Sequence, residues 1–443
     1  MPKDVIMILK KLNNAGFEAY IVGGCVRDKL LGQKPNDYDI TTSATPQQIK
    51  DVFYDYATIA IGEKFGTIGV VLNEVLYEIT TFRIDGKYLN NRKPESVTFS
   101  HNLEDDLARR DFTINAMAMD IDGNIFDPFC GKLDLENKII RSVGNPSDRI
   151  LEDGLRIMRA IRFAGRLNFY IDEDLFEAIS LHRDILRNIS VERIFDEFLK
   201  MLTSTNPSTY LLLMEETGVL DIIFPEIKRT VGFAQMSPFH DKTLFDHILC
   251  VVDNVPCDIS IRLAALFHDV SKVDTLTIGK DGRGHFFGHE VEGAEVAKKV
   301  LRKYKVSNKI IKKVEILILD HMKVHSKMSD KALRRQIKRV GKDNILDLYS
   351  LLIADCKCTR ADRDTSFIEN RRDRVLNLLN EKEMKSDKFL NIDGNDIIAL
   401  GYQEGKQIGD ILRQLENIVL DNPKLNNKKY LIDYIKENYK IGD

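Results

Sequence analysis

A chain of 443 residues, with 43% hydrophobic and 30% charged residues, has the composition of a globular protein, and its length calls for about two to four domains. No apolar run is long enough to cross a bilayer, which excludes helical membrane spans. The net charge of −3 excludes a uniformly basic nucleic-acid binder, so a nucleic-acid partner would have to be held by local basic patches. The N-terminal stretch "MPKDVIMILKKLNNAGFEAY" reads as an amphipathic helix with both acidic and basic residues, not as a secretion signal. Six scattered cysteines, none in a CxxC pair, predict a cytoplasmic protein with free thiols.

The next stretch, "YIVGGCVRDKLLGQKPNDYDITTSA", concentrates chemistry. Tyr20 to Val22 predict the end of a strand, Gly23 and Gly24 a tight turn, and Val26 to Leu31 a short helix stopped by Gly32. Asp37 and Asp39 follow in a second strand, where residues two apart point to one face. Two such carboxylates repel each other, and a divalent cation with oxygen ligands, Mg²⁺, relieves that repulsion. The Gly-Gly turn opens a helix whose first N–H groups suit a phosphate, and Arg27 adds a bidentate phosphate donor. These parts together describe a nucleoside triphosphate–Mg²⁺ site, whereas the DxD alone would read as a surface loop with two ordinary aspartates.

Downstream, "GTIGVVLN" (66–73) and "YEITTFRI" (77–84) predict a hairpin. Glu78 on the second strand is either a third metal carboxylate or a solvent-facing residue. In "EDDLARRDFTINAMAMD" (104–120), Arg109, Arg110 and Asn115 either orient a sugar and triphosphate or serve helix capping and solubility. From about Ile150 the strand signals stop and helical patterns run to the end. In "ILEDGLRIMRAIRFAGRL" (150–167), Glu152, Asp153, Arg156, Arg159 and Arg162 recur at spacings of three and four, on one helix face. That face is either a solvated salt-bridge array or a base reader. Cytosine and adenine both present an amino group beside an unprotonated ring nitrogen. Asp153 can accept from the amino group while Arg156 donates to the nitrogen. Guanine and uracil present the reverse order, and each mispaired buried group costs about 1–3 kcal/mol.

The motifs "IVGGCVRDKLLG…NDYDI", "EITTFR", "DLARRDFTINAMA", "DPFCGKLDLENKIIRSVGNP" and "EDGLRIMRAIRFA" occur in order, and over residues 15–170 the chain resembles the class II tRNA nucleotidyltransferases, the CCA-adding enzymes, in the poly(A) polymerase superfamily. The resemblance implies an α+β head with a polymerase-β-like sheet, followed by an all-α neck, an HD-like body and a tail. It sets these at residues 1–145, 146–225, 226–365 and 366–443, the tail being a tRNA contact. It implies template-independent addition of C, C and A to tRNA 3′ ends from CTP and ATP. Gly24 and Arg27 would hold the triphosphate, Asp37 and Asp39 would bind Mg²⁺, Arg110 would contact nucleotide, and Asp153, Arg156, Arg159 and Arg162 would read the base. Residues 85–99 match the loop of enzymes that add the terminal A, with Asn90 where that loop often carries an acid. An A-adding or poly(A) polymerase variant stays open, as does a non-catalytic tRNA binder, against which the Asp37/Asp39 pair argues.

Further on, His247, "LAALFHDVSK" with His268 and Asp269, then His285, His289, His321 and Asp355 resemble the HD phosphohydrolase superfamily. That resemblance implies a second divalent-metal site at His247, His268, Asp269 and Asp355, with Ser271 in place of the usual glycine. An HD phosphohydrolase with an inactive head is the alternative function, and histidines packed between helices the structural one. Basic runs at 298–313 and 331–342, with Arg141 and Arg149, could contact phosphates along an acceptor stem or line solvated helix faces.

Overall fold

The computed structural model describes residues 1–86, 88–89, 93–236, 241–323, 328–360, 363–380 and 390–440. The chain forms two compact units, one of residues 1–228 with 303–305, the other of residues 229–302 with 306–443.

In the first unit, helix α1 (Lys3–Asn14) buries Val5, Ile8, Leu9 and Leu12, the i, i+3, i+4, i+7 set of one helical face. A seven-stranded sheet follows: β1 (Ala19–Val22), β2 (Asp39–Thr42), β3 (Ala57–Gly62), β4 (Thr67–Leu72) and β5 (Val75–Thr81), and later Ala118–Met119 and Ile125–Phe126. Helices α2 (Gly24–Leu30) and α3 (Pro46–Val52) intervene. The β2–β5 pairing is parallel, with Ile40 opposite Ile79, and the other pairings are antiparallel. The expected hairpin is β4–β5, closed by Asn73 and Glu74, both with positive φ (47° and 65°), as a two-residue hairpin turn requires. The second strand stops at Thr81. Beyond it, β6 (Arg83–Asp85) pairs with β9 (Val97–Phe99), and β7 (Tyr88–Leu89) with β8 (Lys93–Pro94). Asn90 lies outside the described residues.

Helix α4 (Leu103–Ala108) precedes β10 (Ala118–Met119) and β11 (Ile125–Phe126), and α5 (Gly131–Asn137) and β12 (Ile139–Ile140) follow. The helix expected over 150–167 is two helices, α6 (Pro146–Glu152) and α7 (Leu155–Leu167). Asp153 between them is extended (φ −136°, ψ 102°), and its Oδ1 accepts from the Leu155 N–H at 3.1 Å. A carboxylate that caps a new helix competes with continuing the old one. Gly154 permits the close packing, since a Cβ there would lie 2.8 Å from Ile185. Strand signals do not end at Ile150 either: β13 (Tyr170–Ile171) pairs parallel with β12, too briefly to show a period. The unit is completed by α8 (Glu173–His182), α9 (Val191–Leu202), α10 (Pro207–Glu216), α11 (Val219–Ile223) and α12 (Pro225–Lys228).

The second unit comprises α13 (Leu244–Asn254), α14 (Ile259–Phe267), α15 (Lys272–Thr275), a small hairpin of β14 (Thr277–Ile278) and β15 (Gly284–His285), α16 (His289–Lys303), α17 (Asn308–Asp320), α18 (Asp330–Val340), α19 (Ile345–Thr359), α20 (Ser366–Asn380), α21 (Gly394–Ala399), α22 (Lys406–Asp421) and α23 (Lys428–Asn438). The joint expected near 352–366 is helical through Thr359. The last three helices bury their own apolar cluster, including Ile397, Ile411, Leu415, Leu431 and Ile435. No described helix is long and apolar enough to cross a membrane.

Two expectations change here. Not all cysteines are free thiols: Cys250 on α13 and Cys358 on α19 form a disulfide, brought together across 108 residues by helix packing that leaves no spacing signature. The basic run at 331–342 is largely engaged within the unit. Lys338 pairs with Glu416 at 2.5 Å, Arg335 donates to Asn417 at 2.8 Å, and Lys331 pairs with Asp421, all on α22.

Candidate active site

The acidic group of the first unit follows from sheet register. Asp39 opens β2, and the parallel β2–β5 register that sets Ile40 beside Ile79 sets Asp39 beside Glu78. Ile40 and Ile79 are buried, so the preceding carboxylates share the opposite, exposed face. The Asp39 carboxyl is pushed above its ordinary range, first by lost hydration and then by the negative charges of Asp37 and Glu78, with Arg110 opposing. Asp37 lies just before β2, not within it as expected, and like Glu78 it is near enough for its charge to act on Asp39.

The Gly-Gly turn borders them. A side chain at Gly23 (φ +80°) would place its Cβ 3.0 Å from Arg110 Nη1 and 3.9 Å from Asp39 Oδ2. Glycine keeps that space open and tolerates the φ. Arg110 is braced by Asp106, which is fully buried: Arg110 Nη2 donates to its Oδ2 at 3.3 Å, and Arg109 donates to its Oδ1 at 2.8 and 3.0 Å. Thr41 Oγ1 on β2 donates to Asp106 Oδ2 at 3.2 Å. Arg110 Nε is buried with no hydrogen-bond partner among the described residues.

Arg27 is not the open phosphate donor its position in the turn suggests. It is buried, donates Nε and Nη2 to Asp28 Oδ1 at 2.9 and 2.6 Å, and donates Nη1 to Asn115 Oδ1 at 2.6 Å. Asn115 in turn donates to Asp111 at 3.1 Å, and Asp111 receives Arg159 of α7 at 2.8 and 2.5 Å. This chain of contacts ties the Gly-Gly turn to α7. Its hub is Phe163, whose ring lies 5.0, 5.3 and 4.3 Å from the guanidinium carbons of Arg27, Arg159 and Arg162. The ring also meets Phe112 edge-on at 5.8 Å.

Around the break, Asp153 Oδ2 accepts from Arg193 at 2.9 Å, and Glu152 holds Arg156 at 2.8 Å. Arg156 also donates to the carbonyls of Arg149 (3.0 Å) and Arg109 (2.9 Å). Arg162 turns to Glu197 on α9 at 2.5 Å. Only Arg156, Arg159 and Arg162 share the α7 helix; Glu152 ends α6 and Asp153 lies in the break. A cleft of about 710 Å³ beside Arg162 is also lined by Arg166 and Lys200.

Burial alone would raise the Asp111 carboxyl, but Arg159, Asn115 and the Phe112 N–H hold it down to about 2. A carboxylate depressed by about two units stabilises the fold by about 2 kcal/mol at neutral pH, and the contribution is lost as pH falls from about 4 through 2. Asp111→Asn is therefore expected to lower stability by about 2 kcal/mol at pH 7 and to flatten the acid limb of the stability curve. Thermal unfolding at stepped pH checks this; an unchanged acid limb would contradict it.

A second constellation lies in the other unit. His247 (α13), His268 (end of α14) and Asp355 (α19) offer ligand atoms within 4.8 Å of one another, and so do Asp269, His289 (α16) and His321 (end of α17). The triads adjoin through Asp269: its Oδ2 lies 3.2 Å from His268 Nε2, and its Oδ1 lies 3.2 Å from His289 Nε2 and 3.6 Å from His321 Nε2. All but Asp355 are buried. Asp269 and Asp355 raise His247 against the effect of burial, and the neighbouring histidines and Lys272 hold Asp269 low. His285 stands apart on β15, exposed and stacked on Phe287.

Residues 19–141 match the family described as the poly A polymerase head domain, residues 168–230 the one described as "Probable RNA and SrmB- binding site of polymerase A", and residues 287–435 tRNA nucleotidyltransferase domain 2. The CCA-adding enzyme of Ligilactobacillus salivarius is 34% identical over 436 residues, covering 98% of this chain and 96% of that protein. The chain belongs to the CCA-adding enzymes. The CCA-adding enzyme of Staphylococcus haemolyticus is also 34% identical, over 98% of this chain and 97% of its own. The crystal structure of the Bacillus stearothermophilus CCA-adding enzyme in complex with CTP superposes with a TM-score of 0.73 at 28% identity, covering 99% of both chains. The expected α+β head followed by a mainly helical remainder is the family's fold.

Sequence reasoning missed the bracing part played by four residues around the candidate site: Asp28, Asp106, Asp111 and Phe163. The first three are buried carboxylates each paired with arginine, and a charge that reads as solvated in one dimension gives no sign of its burial. Phe163 sits in an arginine-rich helix, and the spacing of Arg159 and Arg162 around it was the available signal.

Proposed function

We propose that the chain is a nucleotidyltransferase that extends the 3′ end of tRNA by C, C and A from CTP and ATP, releasing pyrophosphate, in the cytoplasm. The convergence of Asp37, Asp39 and Glu78 beside Gly23 and Arg110 carries this reading together with the family membership. The donor set fits a hard divalent cation: Asp39 and Glu78 on adjacent strands and Asp37 just before β2 supply oxygen only, and lost hydration followed by the charges of Asp37 and Glu78 pushes Asp39 up. Asp37 and Asp39 would hold Mg²⁺, with Glu78 beside them, and the bound ion would activate the attacking 3′-hydroxyl and stabilise the leaving pyrophosphate. Arg110, held by Asp106 with its Nη1 against the space that Gly23 keeps open, would meet the triphosphate. Arg27 and Asn115 position the turn against α7 through Asp28 and Asp111.

Asp153 and Arg156 read the base. Each is held by protein partners, Asp153 by Leu155 and Arg193, Arg156 by Glu152 and two carbonyls. A carboxylate and a guanidinium have more acceptor and donor capacity than these partners use, so both keep groups for a base. Arg159 and Arg162, stacked on Phe163, complete the positively charged wall. Asp153→Asn removes an obligate acceptor and turns an amide toward either order of base edge. It is expected to gain relative use of UTP and GTP by about 5- to 150-fold, the equivalent of 1–3 kcal/mol. Unchanged ratios in a four-nucleotide competition would contradict the assignment.

The six-residue cluster, buried but for Asp355, supports a second reading alongside the first. His247, His268, Asp269 and Asp355, with His289 and His321, form a mixed imidazole–carboxylate donor set suited to divalent transition metals and to phosphoester hydrolysis. Six convergent ligand groups from five helical segments are more than helix packing needs.

A further inference from the structure

We propose that the Cys250–Cys358 disulfide controls the metal affinity of the His247–His268–Asp355 triad, so that this centre responds to thiol redox state. The proposal rests on the metal reading of the six-residue cluster. His247 and Cys250 lie three residues apart on α13, and Asp355 and Cys358 three apart on α19, so each cysteine shares a helix face with one ligand. The bridge spans the two helices that bring these ligands together, with Cα atoms 5.7 Å apart.

The link to His247 is direct. The carbonyl of Cys358 lies 3.3 Å from His247 Nδ1. An N–H at Nδ1 donated to that carbonyl leaves the Nε2 lone pair toward Asp355 and His268, which lie 3.2 and 3.3 Å away. A disulfide cysteine is thus the outer partner that orients a ligand, the kind of contact whose loss weakens metal binding by about 10–100-fold. The other ligands have local partners instead. His268 Nδ1 faces the Ala265 carbonyl at 2.8 Å, and His289 and His321 face those of Phe286 and Ile318, each at 2.6 Å. The Asp269–His289–His321 triad draws no member from α13 or α19 and meets His247 only through Asp269 Oδ2, at 3.4 Å, so it serves as the comparison site.

The bridge is open to exchange. Cys250 is half-buried and Cys358 buried, so an incoming dithiol meets Cys250 first. Its thiolate attacks Cys250 Sγ, the S–S bond breaks, and the electron pair stays on Cys358 Sγ. The second thiol of the reductant then displaces Cys250 from the mixed disulfide, leaving a cyclic disulfide. The two protons of the dithiol end on the two cysteines. Asn254 Nδ2 lies 3.7 Å from Cys250 Sγ and 3.8 Å from Cys358 Sγ, placed to donate to a departing thiolate, and Lys357 fixes its Oδ1 at 2.8 Å. Two free thiols cannot stay at bonding distance, so reduction parts Cys250 from Cys358 and releases the carbonyl's hold on His247. In a reducing compartment, disulfides that form are characteristically redox-sensing ones.

The test titrates the full-length chain with Mn²⁺, counting free ion by its EPR signal, before and after dithiol reduction and desalting, with thiol counts confirming each state. The oxidised chain is expected to bind two ions. Reduction is expected to weaken one of them about 10–100-fold and leave the other unchanged. Cys250→Ser is expected to behave as the reduced chain in either state, and Cys257→Ser, at an exposed cysteine outside the bridge, as the parent chain. Equal affinities for both ions once thiol counting shows the bridge open would overturn the proposal, as would a purified chain with six free thiols. Binding of no Mn²⁺ in either state would instead overturn the metal reading beneath it.

Discussion

Asp39→Ala is expected to lower incorporation of both CMP and AMP about a thousandfold, or about 4 kcal/mol of transition-state stabilisation, while tRNA affinity stays at the parent value. Asp39 is the acid on which both Asp37 and Glu78 act. It stands beside Glu78 in the sheet register, within the field of Asp37, and across the open side of Gly23 from Arg110. A structural surface carboxylate would behave differently, because removing one of three mutually repelling acids relieves strain and would leave activity intact. Single-turnover extension of tRNA, with binding measured separately by filter retention, distinguishes the two. Near-parent turnover in the variant would remove Asp39 from the metal site.

Asp106→Ala is expected to cost about 1–3 kcal/mol of stability in the first unit, because it leaves half-buried Arg109 and Arg110 without their common, fully buried carboxylate. Thr41 on β2 loses one of its two acceptors and keeps the Thr80 carbonyl at 3.1 Å. The chain retains the residues that touch nucleotide, yet KM for both CTP and ATP should rise as Arg110 loses its brace. Asp106→Asn keeps an acceptor oxygen and is expected to recover part of the stability but little of the KM, since a neutral amide does not balance two guanidinium charges. Thermal unfolding and steady-state kinetics of the pair check this; parent-like stability of Asp106→Ala would refute the bracing role.

The hairpin was legible because strands have a period of two, which 66–73 and 77–84 display; the same period set Asp37 and Asp39 on one strand, whereas β2 begins at Asp39 and Asp37 lies in the segment before it. The parallel β2–β5 register that delivers Glu78 to Asp39 is a long-range pairing with no local sign. The helix break at Asp153–Gly154 was hidden because the charges on both sides keep helical spacing, while the interruption comes from one capping carboxylate and a close contact with Ile185. The resemblance to the HD phosphohydrolases pointed to His247, His268, Asp269 and Asp355. That His289 and His321 close a second triad on Asp269 depends on how α16 and α17 pack. The Cys250–Cys358 bridge was missed for the same reason: cysteines separated by 108 residues are joined by tertiary packing alone.

The most direct measurement uses tRNA lacking its 3′-terminal CCA, incubated with Mg²⁺ and with CTP alone, ATP alone or both, the products being sized on a sequencing gel. Addition of two residues with CTP alone, none with ATP alone, and three with both together is the predicted pattern. A ladder of added A residues, or a single A added only to tRNA already ending in CC, would contradict the proposed CCA addition.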